Sequence, residues 1–426
     1  MNGREQLDFI YRLSFNRFGG TENELRAAEL ILSEIEKLGG KAELEEFKIL
    51  AGDVTKATLT VTAPEEKTIP VMGVVRSGSL PEGGVEAELL FAESGTKEDL
   101  ADAKGKIVLV DNLRQDTYKN LVESGALAFI CHSGRYDEDP TRTDIERKFL
   151  RENMTKDVGH LPGVCTHSHY AIDLVQSGAT RVKVELEATM GENPSRNVVA
   201  EIKGTKYPEQ IVFMTAHYDS TWFGLGAWDN ASGSANLLAM YEHFLKNPPL
   251  RTVRFIWCGS EEQGLLGSKH HANTHEEDVK NAVFCINFDM TGPAFGSNLT
   301  MITGSEEMQK WVKELSLGIG YISKYNRNVH SSDSAPFALR GVPAVGVARD
   351  GQAGGHSRYD IPAPLAAEPL ARCVKFAKVL SQATVNCEEA EIPVKREMPE
   401  DMMDKLYKYF RITPPEKKNE NGKLNE

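Results

Sequence analysis

The alternation of apolar and polar positions changes character twice along the chain. Near the start, Leu25, Ala28, Leu32 and Ile35 recur at helical spacing, and Thr21 with Glu24 forms a capping-box pattern just ahead of them. The spacing predicts a helix over about residues 22–38, stopped by Gly39-Gly40. Between residues 64 and 189 the signals are compact and strand-like, at 106–110, 126–130 and 182–186, with a short helix at 118–124. After residue 190 apolar strands alternate with helix-like segments, the rhythm of a mainly parallel sheet covered by helices on both faces. Strands are predicted at 211–216, 253–258, 282–288 and 344–348, and helices at 232–246, 306–317 and 365–380. A short amphipathic piece at 399–410 precedes a charged tail expected to be mobile. A chain of 426 residues is too long for one simple core. The expected division is a discontinuous α/β main domain (1–63 and 190–392), a smaller β-rich domain (64–189) and a terminal segment (393–426).

Charge and composition narrow the function. The net charge of −13 argues against a nucleic-acid partner, because phosphate binding needs a surplus of Lys and Arg on one face. A solvated acidic surface accounts for most of that charge, and a cation site is easy to reconcile with it. No stretch approaches the roughly 18 consecutive apolar residues of a membrane span. Residues 1–8 are polar and lack the apolar core of a secretory signal, so a cytoplasmic location and no membrane partner are expected. Six cysteines, Cys131, Cys165, Cys258, Cys285, Cys373 and Cys387, include no CxxC pair and read as free thiols.

The chemistry sits where the predicted strands end. The first runs into His217-Tyr218-Asp219, the second through Gly259-Ser260 into Glu261-Glu262, and the third into Asp289. The last leads into a glycine-rich loop, 351–355, that delivers His356. In open α/β sheets, ligands lie at the carboxyl ends of strands. A further group, Asp229, lies in a turn of small residues just before a predicted helix. A carboxylate there is able to bridge two cations about 3.5–4 Å apart, as two-metal hydrolytic sites require. Mixed imidazole and carboxylate ligands suit zinc, and cobalt or manganese fit the same set. One ion would take His217 and Asp289, the other Glu262 and His356, with Asp229 shared. Asp219 would hold the second nitrogen of His217, leaving Glu261 to move a proton.

Taken singly, each residue has a plainer reading. His217 alone would be structural, Asp229 a helix cap, Glu261-Glu262 a solvated pair and Asp289 a turn residue. Their convergence from separate parts of the chain carries the reading. His167-x-His169 and His270-His271 are set aside, the first for want of nearby carboxylates, the second as part of a surface helix. No HExxH, no GxSxG and no convincing cysteine nucleophile is present.

At these residues the sequence resembles the co-catalytic zinc aminopeptidases of metallopeptidase family M28, clan MH. The matching pieces are His217-x-Asp219, Gly226-Ala227-x-Asp229-Asn230-Ala231-Ser232-Gly233, Glu261-Glu262-x-Gly264-Leu265-x-Gly267-Ser268, Asn287-x-Asp289-Met290 and Ser332-Asp333-x-x-Pro336-Phe337, with His356 in order. The stretch from Ser195 to Gly204 resembles the entry to that catalytic domain, and 64–189 resembles an inserted protease-associated domain that shapes access to the cleft. The resemblance implies a zinc aminopeptidase, phosphorylase/hydrolase-like fold. It implies His217, Asp229, Glu262, Asp289 and His356 as ligands of two divalent ions, Glu261 as general base and Asp219 as the partner of His217. It also implies a cis Asp229–Asn230 peptide. Two departures stand out: Gly355 replaces an oxyanion-stabilising tyrosine of some relatives, and Ser332-Asp333-Ser334 carries serine where many members carry histidine. The expected substrate is a peptide shortened from its amino end. The alternatives are a carboxypeptidase or dipeptidase with Arg349 or Arg358 clamping a terminal carboxylate, a glutaminyl cyclase-like transferase, and an inactive binding relative. Arg327 is a further substrate-facing candidate.

Overall fold

The computed structural model describes residues 1–388 and 396–415. The expected charged tail past residue 415 lies outside the described residues. Two compact units emerge, one of Met1–Phe47 with the chain from Pro194 onward, the other of Lys48–Asn193. The sequence reading placed the passages at 63/64 and 189/190, where composition shifts. In the fold they fall inside the long strands Ala42–Ala63 and Arg181–Ile202, because a continuous strand carries no compositional mark where one core ends.

The first unit is built on a mixed, mainly parallel sheet. Its strands are the end of β1 (Arg181–Ile202), then β2 (Tyr207–His217), β3 (Arg251–Cys258), β4 (Ala282–Phe288), β5 (Asn298–Thr303), β6 (Ser323–Arg327) and β7 (Ala344–Arg349). They lie side by side in the order β6-β5-β7-β4-β2-β3-β1. The central pairs β3–β2, β2–β4 and β4–β7 are parallel, while β1 runs antiparallel to β3 and β5 antiparallel to β7. Residues 211–217 of β2 are all buried, as expected of an interior strand covered on both faces. The period of two divides them: Val212 and Met214 face one core, Ile211 and Phe213 the other.

The larger core lies under the helices α1 (Gly3–Leu13), α2 (Glu22–Lys37), α3 (Ser232–Lys246), α5 (Glu306–Gly318) and α6 (Ala367–Thr384). The smaller one lies under α4 (Leu266–Thr274) and the short helix around Phe337. The sequence pattern did not single out α1. It begins on Asn2, whose side chain accepts from the amides of Arg4 and Glu5, and it buries Phe9, Ile10 and Leu13. Strand β6 was also missed: SKYNR is an edge strand with alternating half-buried and exposed residues, too polar to announce itself. The terminal helix α7 (Glu400–Phe410) buries Met402 and Leu406 beside Ala338.

In the second unit, strands Val85–Phe91, Ile107–Leu109, Ala128–Ser133 and Gly163–His167 pair in parallel, with Val71–Gly73 antiparallel at one side. Two clusters of buried residues, one on each face, form its core. All six cysteines of the chain are free thiols, five of them buried.

Candidate metal centre

Because the central strands are parallel, their carboxyl ends meet along one edge, and the predicted site residues arrive there together. His217 is the last residue of β2 and is buried. Its Nε2 lies 3.2 Å from Asp229 Oδ1 and 3.4 Å from Asp289 Oδ1, and its Nδ1 faces Asp219 Oδ1 at 3.5 Å. Asp289 directly follows β4, and Ser332 Oγ donates to its Oδ2 at 2.9 Å. His356 reaches the edge from a left-handed backbone position (φ 59°) in the glycine-rich loop. Its Nε2 lies 3.0 Å from Asp229 Oδ2 and 3.4 Å from Glu262 Oε2.

Two triads result, His217–Asp229–Asp289 and Asp229–Glu262–His356, in each of which one donor atom per residue lies within 4.8 Å of the others. Asp229 belongs to both and turns one oxygen to each imidazole. Glu261 stands beside them, its Oε2 4.0 Å from His217 Nε2. The turn that presents Glu261 and Glu262 is held from below. Asp219 accepts from the amide of Glu261 at 3.0 Å through Oδ1 and from that of Glu262 at 3.2 Å through Oδ2. One residue thus faces His217 and anchors the acidic pair.

The electrostatics fit a cation pair. Glu262 Oε1 and Asp289 Oδ1 are buried with no hydrogen-bond partner among the described residues, an arrangement that costs free energy unless a ligand satisfies them. Burial pushes the carboxyls of Glu261 and Glu262 well above the ordinary range; Glu262 adds to the rise at Glu261, and Asp229 to that at Glu262. Burial opposes charge on His217, yet Glu261, Asp219, Asp229 and Asp289 around it hold its pKa well above the usual value. Negative charge is concentrated there beyond what protein donors neutralise. Divalent ions of the zinc class suit a donor set of two imidazoles and three carboxylates.

Several supporting residues were not picked out from sequence. Asp360 accepts from the amides of Trp228 at 2.7 Å and Asp229 at 3.1 Å, which fixes the turn carrying the shared carboxylate. The Asp229–Asn230 peptide is cis. Arg17 is wholly buried and donates to the carbonyls of Tyr218, Leu225 and Gly226, tying together the segments that flank Asp219 and Asp229. Its one legible signal was a lone cation in an otherwise apolar and small-residue stretch, Phe15 to Gly20.

Other candidates go elsewhere. Arg349 is buried and donates to Pro293 O and Asn298 Oδ1, so it is structural. Arg327 forms a two-pronged pair with Asp401 of α7. Arg358 is exposed. His167 does have a carboxylate neighbour after all, Glu138 at 3.9 Å, supplied by a loop distant in sequence. His270 stacks on Phe47, whereas His271 is fully buried and not on the surface face that the sequence suggested.

A mostly parallel α/β sheet whose strand ends gather two histidine–carboxylate triads defines a metal-dependent peptidase. Residues 197–380 match the model of Peptidase family M28. The chain is 29% identical over 343 residues to Aminopeptidase YwaD of Bacillus subtilis (strain 168), covering 77% of this chain and 71% of that protein. It is 26% identical over 321 residues to human Carboxypeptidase Q, covering 70% and 66%. The structure of BSAP, a zinc aminopeptidase from Bacillus subtilis, shares the fold with a TM-score of 0.76 at 24% identity, covering 94% of this chain and 98% of that one.

Proposed function

We propose that the chain is an aminopeptidase that uses two divalent ions, zinc first among them, to release N-terminal residues from peptides. The observation that carries this reading is the placement of Asp229, one oxygen toward each of two imidazoles that belong to separate triads. His217 and Asp289 would hold one ion, Glu262 and His356 the other, with Asp229 between. A bound pair supplies Lewis acidity, polarising the scissile carbonyl and acidifying a water. Glu261 takes the proton of the attacking water and delivers it to the departing amine as the C–N bond breaks. Asp219 sets the direction of His217 and the position of Glu261.

The complete set of candidate ligands, together with Glu261, supports turnover over a binding-only role. The relatives include an aminopeptidase and a carboxypeptidase, which leaves both ends of the peptide in play. Arg349 and Arg327 are engaged in the fold, so neither serves as a clamp for a terminal carboxylate. The site's negative charge is better suited to a substrate ammonium. A panel of peptides with either end blocked decides the matter. Cleavage of amino-acid amides and loss of cleavage on N-acetylation are expected; hydrolysis of N-acetylated peptides with a free carboxylate would overturn the assignment.

Glu261→Gln should lower kcat by about 10²–10⁴, the usual range for losing a general base, with metal content unchanged. Full activity in that variant would remove Glu261 from its role. The unit of residues 48–193, protease-associated in its sequence character, is assigned to substrate selection and not to chemistry. Deleting 64–189 should change the relative rates on long and short peptides, and unchanged ratios would refute it.

A further inference from the structure

A second convergence of imidazole and carboxylate lies outside the candidate catalytic residues. Glu45 lies within the strand Ala42–Ala63, in the portion that belongs to the first unit. His271 is on α4 and His275 directly follows it, four residues on, so both rings lie on one face. The rings stack with centroids 4.3 Å apart. Glu45 Oε2 is 3.0 Å from His271 Nδ1, and Glu45 Oε1 is 2.7 Å from His275 Nε2. The three donor atoms lie within 4.8 Å of one another.

We propose that Glu45, His271 and His275 form a binding site for a further divalent transition ion of the zinc class, separate from the two triads. The donor set is two imidazoles and one carboxylate, with a fourth position open to water, a composition that zinc accepts readily. His275 is 39% exposed on its side chain, giving an ion its way in, while half-buried Glu45 and fully buried His271 lie beneath it. The far nitrogen of His275 faces Asp278 Oδ2 at 3.7 Å, the outer carboxylate that steadies a ligating imidazole. Arg254, the nearby cation, is paired with both Asp278 and Glu201 and so presents little net charge to the site.

One feature of His271 favours an ion over a plain hydrogen-bonded clasp. Its Nε2 is buried with no hydrogen-bond partner among the described residues, and its ring lies beside those of Phe213 and Phe337. If Nδ1 carries the proton to reach Glu45, a bare lone pair is left buried at Nε2. If Nδ1 ligates, Nε2 carries the hydrogen instead, which an aromatic surrounding tolerates better than a lone pair. Asn197 donates to Glu45 at 2.7 Å and to Gly267 O at 3.0 Å and accepts from the amide of Gly259, so the site is tied to the turn that leads into Glu261 and Glu262.

The test is a zinc count by plasma mass spectrometry on the folded full-length chain, saturated with zinc and dialysed without chelator, for wild type, His275→Gln and Glu45→Gln. Each variant should hold one equivalent fewer than wild type. Its circular dichroism should be unchanged, and its rate on leucine p-nitroanilide should stay within twofold. Counts equal to wild type would overturn the site, as would loss of all bound zinc. Because the readout is a difference between paired samples, it does not depend on the two-ion reading of the catalytic cluster, which Asp229→Asn tests separately.

Discussion

Asp219 and Asp360 show how single residues set the chemistry without touching a substrate. Asp219 meets His217 with one oxygen and accepts two backbone amides from the Glu261-Glu262 turn, so the base and two candidate ligands share one support. Asp360 does the same for Asp229 by accepting the amides at 228 and 229. Removing such outer partners typically weakens metal binding by about 10–100-fold. Asp360→Asn should therefore show that loss in a competition titration with a chromophoric zinc chelator, while circular dichroism stays unchanged. Unaltered affinity would make Asp360 a fold residue only. The sequence made His217, Asp229, Glu262, Asp289 and His356 legible because each follows an apolar strand or precedes a strong helix. It did not make Asp360 legible, since an acid four residues past His356 has no marker until the turn at 227–231 folds onto it.

Among the elements, α2 repays attention for what its cap became. Thr21 accepts from the amide of Glu24, as the pattern predicts. The Glu24 side chain, however, turns to the amide of Gly20 and takes hydrogen bonds from Ser195 and Ser260. A capping pattern thus conceals a buried tie between the helix and the turn before Glu261. On the outer side, Arg12 of α1 makes a two-pronged pair with Glu34 of α2, which also receives Lys37. The Arg12 guanidinium, with Lys37, holds the Glu34 carboxyl near 2, below its ordinary 4.5. A depressed carboxyl contributes stability that is complete above the unfolded value and lost as pH falls from about 4.5 toward 2. Glu34→Gln should flatten that part of the curve of Tm against pH; a curve parallel to wild type would discount the pair. Ile10, fully buried where α1 meets the core, should cost about 2–5 kcal/mol on change to Ala in urea unfolding. A loss under 1 kcal/mol would mean that α1 is peripheral to the core.

At the level of the whole molecule, the candidate metal cluster and the fold stabilise each other. Crowded carboxylates repel in the absence of cations, so chelation should lower the Tm and added zinc should restore it in a concentration-dependent way. A melting curve indifferent to both would contradict a cation pair. No described helix is long and apolar enough to cross a membrane. The alternation of apolar strands with amphipathic helices after residue 190 was enough to establish a mainly parallel sheet, and the polar groups at strand ends pointed to its chemistry, because period and burial are written residue by residue. The edge strand Ser323–Arg327, the passages between units and the pairing of Glu45 with His271 and His275 were decided only in three dimensions. Each of these depends on which distant segment arrives alongside, and neither periodicity nor composition records a contact between residues more than two hundred positions apart.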